Sequence, residues 1–190
     1  MNHSSAFFNA SLDSQLNIST VLDFRSQILF SFRTCSLGGR LIRQTGPSNS
    51  SEFYLIRLTQ NGSLIISWRS ASVEVADSVE VANLSLTNNE WFTIESSFAL
   101  GQILLQVEQG PLVRRSVVLA NSTFRSYLWN LDLTGGGPLE VGGGGFSGCI
   151  QQGPQVLLSS PSVIASVDVV WDECPLEDSL GCGKWNWNCL

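Results

Sequence analysis

Histidine is almost missing: His3 is the only one in 190 residues. Its scarcity removes the imidazole on which acyl transfer by a serine or cysteine nucleophile relies. No C-x-x-C occurs to seat a zinc ion. Charge is scarce as well, with 14% of residues charged, a net charge of −6 and a pI near 4.6. That balance excludes a nucleic-acid binder, which needs a basic face. The basic residues are scattered, and the local pairs Arg114-Arg115 and Arg40/Arg43 read as ordinary solvated charges. No apolar run approaches the roughly 18 residues of a membrane span, so no direct insertion into a bilayer is expected. Helical periodicity is nearly absent.

Hydroxyl and amide groups take the place of charge. Serine and threonine together number 36. Asn2, Asn9, Asn17, Asn49, Asn61, Asn83 and Asn121 each begin N-x-Ser/Thr without an intervening proline, the acceptor pattern for N-linked glycans. Seven such sites exceed chance for this composition. They predict an extracellular chain, secreted or part of an ectodomain, whose glycans solubilise a surface short of charge. Five cysteines fit the same oxidising compartment. The opening Met1-Asn2-His3-Ser4 has neither the basic nor the apolar region of a signal peptide. The chain is therefore expected to be one module of a longer mosaic protein, set beside neighbouring modules.

Period-two alternation runs through most of the chain. "ILFSFRT" sets Ile28, Phe30 and Phe32 against Leu29, Ser31 and Arg33. "FYLIRL" and "LIISWR" flank "TQNGS", where Asn61-Gly62 supplies a hairpin turn needing positive φ. "EWFTIESSF" sends Phe92, Ile94, Ser96 and Phe98 to one side. "ILLQVEQ", "RSVVLA", "PLEVGG" and "SVIASVDVVW" complete the series. About a dozen short strands with turn chemistry between them read as an all-β fold, an antiparallel sandwich or jelly roll. That domain covers residues 1–174. Residues 175–190 belong to a tail rich in cysteine and tryptophan, too short for a core of its own.

"GGGGFSGCI", residues 142–150, is the most unusual stretch. Gly143, Gly145 and Gly148 satisfy G-x-G-x-x-G, and Asp168 stands where a ribose-binding acid would be. A dinucleotide site needs a helix to start at those glycines, but Gly153-Pro154 would end one within a turn. The preceding "PLEVGG" is also too short and polar for a buried parallel strand. The glycines instead suit a place where two strands cross closely, with Phe146 plugging the core.

The order of these pieces resembles a laminin G-like domain, also called LG or LNS, with the jelly-roll sandwich of the concanavalin A-like class. "AFFNASLDSQLNI" is similar to the family's opening, and "ILFSFRTCSLGGRLIRQ" to its F-R-T strand, turn and next strand. "FYLIRLTQNGSLIISWR" resembles the central hairpin, "LTNNEWFTIESSF" the strand led by tryptophan, and "ILLQVEQG" the strand after it. "LEVGGGGFSGCI" looks like the closing glycines and the F-S-G-C-I segment. The resemblance implies a Cys149–Cys174 disulfide. Cys35 is either a buried free thiol or a partner of Cys182 or Cys189. A tail that opens an EGF-like module would leave Cys182 and Cys189 with partners beyond residue 190.

The resemblance also implies function: an extracellular recognition or adhesion module that binds a protein or glycan ligand through rim loops, or acts as a spacer. Many members hold Ca²⁺ at a sandwich rim, using an aspartate just before the strand equivalent to "FYLIRL". Ser51-Glu52 stands there in this chain, and Asp132 could add an oxygen. Glu52 and Asp132 are too few for Ca²⁺, which takes several clustered oxygens, so no cofactor and no metal are expected. The alternative is a calcium-dependent lectin using exposed tryptophan. Trp68, Trp91, Trp129 and Trp171 lie on strand patterns as core residues, while Trp185 and Trp187 in the tail suit either role. A glycan-active enzyme on the same scaffold would need paired carboxylates. Asp168 and Asp172 have the spacing but read as solvated edge acids, and Glu74, Asp77 and Glu80 would face outward from an edge strand. No catalytic residue is therefore expected.

Overall fold

The computed structural model describes residues 4–9, 13–23, 26–70, 77–81, 86–99, 102–109, 113–119, 131–159 and 161–174. The chain forms β1 (Ser5–Phe8), β2 (Gln15–Ile18), β3 (Ile28–Thr34), β4 (Gly39–Thr45), β5 (Phe53–Leu58), β6 (Leu64–Arg69) and β7 (Asp77–Val81). It continues with β8 (Phe92–Ala99), β9 (Gln102–Gln109), β10 (Val113–Leu119), β11 (Leu139–Gly142), β12 (Gly148–Gln151), β13 (Val163–Val167) and β14 (Val169–Trp171). These build two sheets, β10-β9-β8-β3-β12-β1-β14 (sheet A) and β13-β2-β11-β4-β5-β6-β7 (sheet B). Every pairing is antiparallel. The meanders β4–β7 and β8–β10 stay within one sheet, and the other strands alternate between sheets. The architecture is the expected jelly-roll sandwich. No helix lies among the described residues, so none there could cross a membrane.

Alternation decides which side chains meet between the sheets. Ile28, Phe30 and Phe32 of β3 are fully buried, as are Ile56 and Leu64 of the facing sheet, with Trp68 and Tyr54 only 1% exposed. Trp68 is thus a core residue, as its strand position predicts. Phe32 stacks on Phe92 with ring centroids 5.8 Å apart. Phe8 meets Phe146 at 6.0 Å in a tilted pair. Burying one such side chain contributes about 1.5–3 kcal/mol, and a well-placed aromatic pair adds about 0.5–1.5 kcal/mol.

One buried amide ties two loops together. Gln44, fully buried on β4, accepts from Leu22 N at 2.8 Å and donates to Thr20 O at 2.9 Å and Gly137 O at 3.1 Å. Both ends of the amide are satisfied, which burial demands. The link joins the β2–β3 connection to the loop leading into β11.

Two local details differ from expectation, and a third decides between two alternatives. The "SVIASVDVVW" run is not one strand: β13 borders sheet B and β14 borders sheet A. Asp168 turns the chain between them with φ +49, and its carbonyl accepts from Ser14 Oγ at 2.8 Å. The β5–β6 hairpin uses only Gly62 at positive φ (+73). Gly62 N donates to Thr59 O at 3.1 Å and Thr59 N to Ser63 O at 2.9 Å, the three-residue loop that ends in a glycine bulge. Cys35, finally, is disulfide-bonded and not a free thiol, and its partner lies outside the described residues.

The expected Cys149–Cys174 bond is present, with Cα atoms 5.8 Å apart. Closing a loop of 25 residues contributes about 3–4 kcal/mol on the chain-entropy view.

Tyr54 makes the fold sensitive to alkali. Burial pushes its phenol up to about 12, against a smaller opposing effect of the Ser96 hydroxyl. The folded value lies above the ordinary value of about 10, so the neutral phenol favours the folded state. Its contribution is whole below about pH 10 and is lost as the pH rises toward 12, by about 2–3 kcal/mol in all. Tyr54→Phe should cost about 1 kcal/mol at neutral pH and flatten the decline of melting temperature between pH 10 and 12. An equally steep decline in the variant would contradict this account.

Candidate functional site

The glycine run turns out to build a site as well as a crossing. Gly142, Gly143, Gly144 and Gly145 all have positive φ, from +59 to +91, and carry the chain from β11 in sheet B to β12 in sheet A. No helix follows them, so the nucleotide motif has no structural counterpart. A Cβ on Gly142 would strike the Phe8 ring, and one on Gly143 would strike the Arg40 guanidinium. Phe146, fully buried, donates its N–H to Gly143 O at 3.1 Å. The same Gly143 carbonyl accepts from Arg40 N at 3.0 Å.

Arg40 lies in the space the missing side chains leave. Its Nε donates to Gly142 O at 2.8 Å and its Nη2 to Gln15 Oε1 at 2.6 Å. Its Nη1 pairs with Glu140 Oε2 at 2.8 Å, and Arg43 Nη1 reaches the same oxygen at 3.5 Å. Burial pushes the Arg40 guanidinium below its usual value, Glu140 raises it again, and neighbouring Arg43 lowers it slightly. Arginine stays charged through shifts of this kind. Arg40 is therefore a held cation, not the solvated charge its sequence position suggests.

A β-bulge sets the second arginine beside it. Residues three apart on a regular strand point to opposite faces. In β4 the register with β5 shifts between Arg40 and Ile42, and Leu41 and Ile42 are both fully buried. The extra residue restores the phase, so Arg40 and Arg43 share the outer face of sheet B. Arg57 joins them from β5, directly opposite Arg40. Gly39, Arg40, Arg43, Leu55, Arg57 and Gly144 are among the residues lining a cleft of about 320 Å³. Like charges placed opposite each other across a sheet are unfavourable, and Glu140 is the one acid paired with this group among the described ion pairs.

The residues singled out in the sequence are distributed elsewhere. Asp132 Oδ1 accepts from Thr134 N at 2.9 Å, shaping its own loop. Glu52 O accepts from Gly46 N at 2.9 Å, and Gly137 N donates to Thr45 O at 3.0 Å. The Asp132 and Glu52 loops therefore adjoin at one rim. Among the described residues, however, no group of three or more His, Cys, Asp or Glu comes together. Asp168 and Asp172 are exposed and flank β14, the edge strand of sheet A, as their reading as solvated edge acids expects, and both also turn the chain. Both have positive φ, +49 and +56, at the ends of β14, and Asp172 Oδ1 accepts from Ser4 N at 2.8 Å. Glu80 is exposed on β7, the edge strand of sheet B, while Glu74 lies outside the described residues.

Asn9, Asn49 and Asn61 are exposed, and Asn17 is half-buried on β2. Asn2, Asn83 and Asn121 lie outside the described residues, as do Cys182, Cys189, Trp129, Trp185, Trp187 and the tail 175–190. Trp91 and Trp171 are half-buried.

No family model matches the sequence, and no curated protein sequence matches it. Solved structures do. Domains LG4-5 of the mouse laminin α1 chain align over 88% of this chain and 46% of that one, at 17% identity and a TM-score of 0.65. The LG1-3 region of the laminin α2 chain aligns over 92% of this chain and 35% of that one, at 17% identity and a TM-score of 0.70. The enzymatically active domain of tailspike protein 2 from bacteriophage CBA120 aligns over 87% of this chain and 30% of that one, at 12% identity and a TM-score of 0.51. This chain thus spans about half of the first structure and about a third of the second. The likeness shows the fold, a jelly-roll sandwich similar to laminin G domains.

The crossing yields a graded prediction. Gly144→Ala meets nothing closer than ordinary contact at 3.5 Å, so it should cost only the left-handed backbone penalty, about 1 kcal/mol. Gly142→Ala adds a collision with the Phe8 ring, an overpacking cost that brings the total to about 2–4 kcal/mol. Urea midpoints of the two variants check this. Equal losses would mean that contact with Phe8 does not limit residue 142.

Proposed function

We propose that this chain is a non-catalytic recognition module of the laminin G-like kind, from an extracellular mosaic protein, and that it binds a protein or glycan ligand. The observation that carries the reading is the arginine cleft. A chain of net charge −6 gathers Arg40, Arg43 and Arg57 around one opening on a sheet face. The cost of bringing them together is offset only in part by Glu140. Such a group gains most when an anionic partner arrives. The Cys149–Cys174 bond and the seven glycan acceptor sites support an extracellular setting. An EGF-like start after residue 174 gains no support from the fold or the comparisons and is not part of this reading.

A hydrolase would need two carboxylates facing one cleft, about 5–5.5 Å apart for a retaining enzyme. Asp168 and Asp172, the best-spaced acids in the sequence, sit at chain turns instead. Calcium is likewise left out, because Asp132 and Glu52 are too few for a site of six to eight oxygens.

Chain made through a secretory pathway should carry glycans and bind ligand without converting it. Incubation with a panel of polysaccharides and esters should release no product. Turnover that disappears in Asp168→Asn or Asp172→Asn would overturn the non-catalytic reading.

A further inference from the structure

The outer face of sheet B has a composition unlike the rest of the chain. Of ten basic residues nine are arginine, and four of these, Arg40, Arg43, Arg57 and Arg69, lie on the outward positions of β4, β5 and β6. Half-buried Phe53, Leu55 and Ile65 lie between them. Arg57 is exposed, with Arg40 opposite it on one side and Ile65 on the other, so no carboxylate stands across from it. Arg40 is committed to Gly142, Gln15 and Glu140. Arg43, its side chain 41% exposed, shares Glu140 only at 3.5 Å. The two arginines best placed to take a ligand are therefore Arg43 and Arg57.

Their spacing selects the ligand. Arg43 is paired with Leu55 and Arg57 with Arg40, so Arg43 and Arg57 are diagonal neighbours, roughly 7–8 Å apart in an antiparallel sheet. In an extended peptide, side chains at alternate positions point the same way and lie roughly 6.5–7 Å apart. Two acids separated by one residue would therefore meet the two arginines together. Guanidinium is suited to carboxylate because its planar fork can donate two parallel hydrogen bonds. The interleaved Phe53, Leu55 and Ile65 would cover the apolar side chains of such a segment. A polymeric sulfated glycan is the poorer fit, since it gains from a continuous cationic strip rather than cations divided by apolar residues.

We propose that this face docks an extended acidic segment of a partner protein, with carboxylates at alternate positions held by Arg43 and Arg57. The proposal rests on the recognition reading and names its partner class. Arg40 acts as a positioning residue, fixing the cleft wall from its glycine seat.

The test uses a fluorescent, blocked peptide of alternating glutamate and valine, read by anisotropy at low and physiological salt. Saturable binding is expected, falling at higher salt as the charges are screened. Arg43→Gln and Arg57→Gln should each weaken it about tenfold or more while leaving the melting temperature close to that of the parent. The same peptide with glutamine for glutamate should not bind. Peptide binding that survives the double Arg43→Gln, Arg57→Gln variant would overturn the proposal, and so would absence of binding. If a heparin fragment binds through these arginines and the peptide does not, the partner class is wrong and the recognition reading stands. The turnover assay bears on that reading separately.

Discussion

The passage of the chain from sheet B to sheet A through Gly142–Gly145 is the constraint on which the rest of the molecule depends. Phe146 must enter the core within one residue of the turn and meet Phe8. Gly142 must pass against that same Phe8 ring. Only residues without Cβ can follow this path at positive φ without strain. Once it is made, β12 is delivered between β3 and β1, and Cys149 reaches Cys174, 25 residues further along the chain. The disulfide then holds the segment after β14 against the sheet that β12 completes. Closure and crosslink are consequences of one tight backbone path.

That path also determines the electrostatics of the opposite sheet. The carbonyls of Gly142 and Gly143 turn toward Arg40 and accept from its Nε and its backbone N–H. A guanidinium this well satisfied can tolerate partial burial, whereas an unsatisfied one could not. The bulge at Leu41 then brings Arg43 to the same face, and β5 adds Arg57. The positive cleft is thus assembled from a glycine crossing, an irregular strand pair and a straight one. None of the three carries chemistry by itself. Together they concentrate cations on one face of a chain that is otherwise acidic, and the proposed recognition rests on that face.

The fold was legible because period-two patterns report directly on burial. Ile28, Phe30 and Phe32 are buried as their alternation demands, and the "FYLIRL" and "LIISWR" pair forms the expected hairpin. The break at Asp168 was not legible, since a turn at one aspartate leaves the apolar pattern of "SVIASVDVVW" intact. The arginine site was missed for a related reason. Arg40 and Arg43 are three apart, so a regular strand would set them on opposite faces, and only the bulge at Leu41 overrides that. Two adjacent apolar residues, Leu41-Ile42, interrupting the alternation of β4 were the one signal available. The glycines drew attention to the crossing, but the cation they seat is 102 residues away in sequence. Pattern within a segment cannot report such a contact.

The central claim is that the glycine crossing seats Arg40 and thereby builds the cleft. Nitrogen-15 NMR of the arginine side chains addresses it directly, because Arg40 Nε–H donates to Gly142 O at 2.8 Å and should exchange slowly with water. Gly143→Ala would place a methyl group where the guanidinium lies. In that variant, still folded by its amide spectrum, the Arg40 Nε–H signal should lose its protection and join those of exposed arginines. A protected Arg40 Nε–H, unchanged in position and exchange rate in Gly143→Ala, would contradict the account.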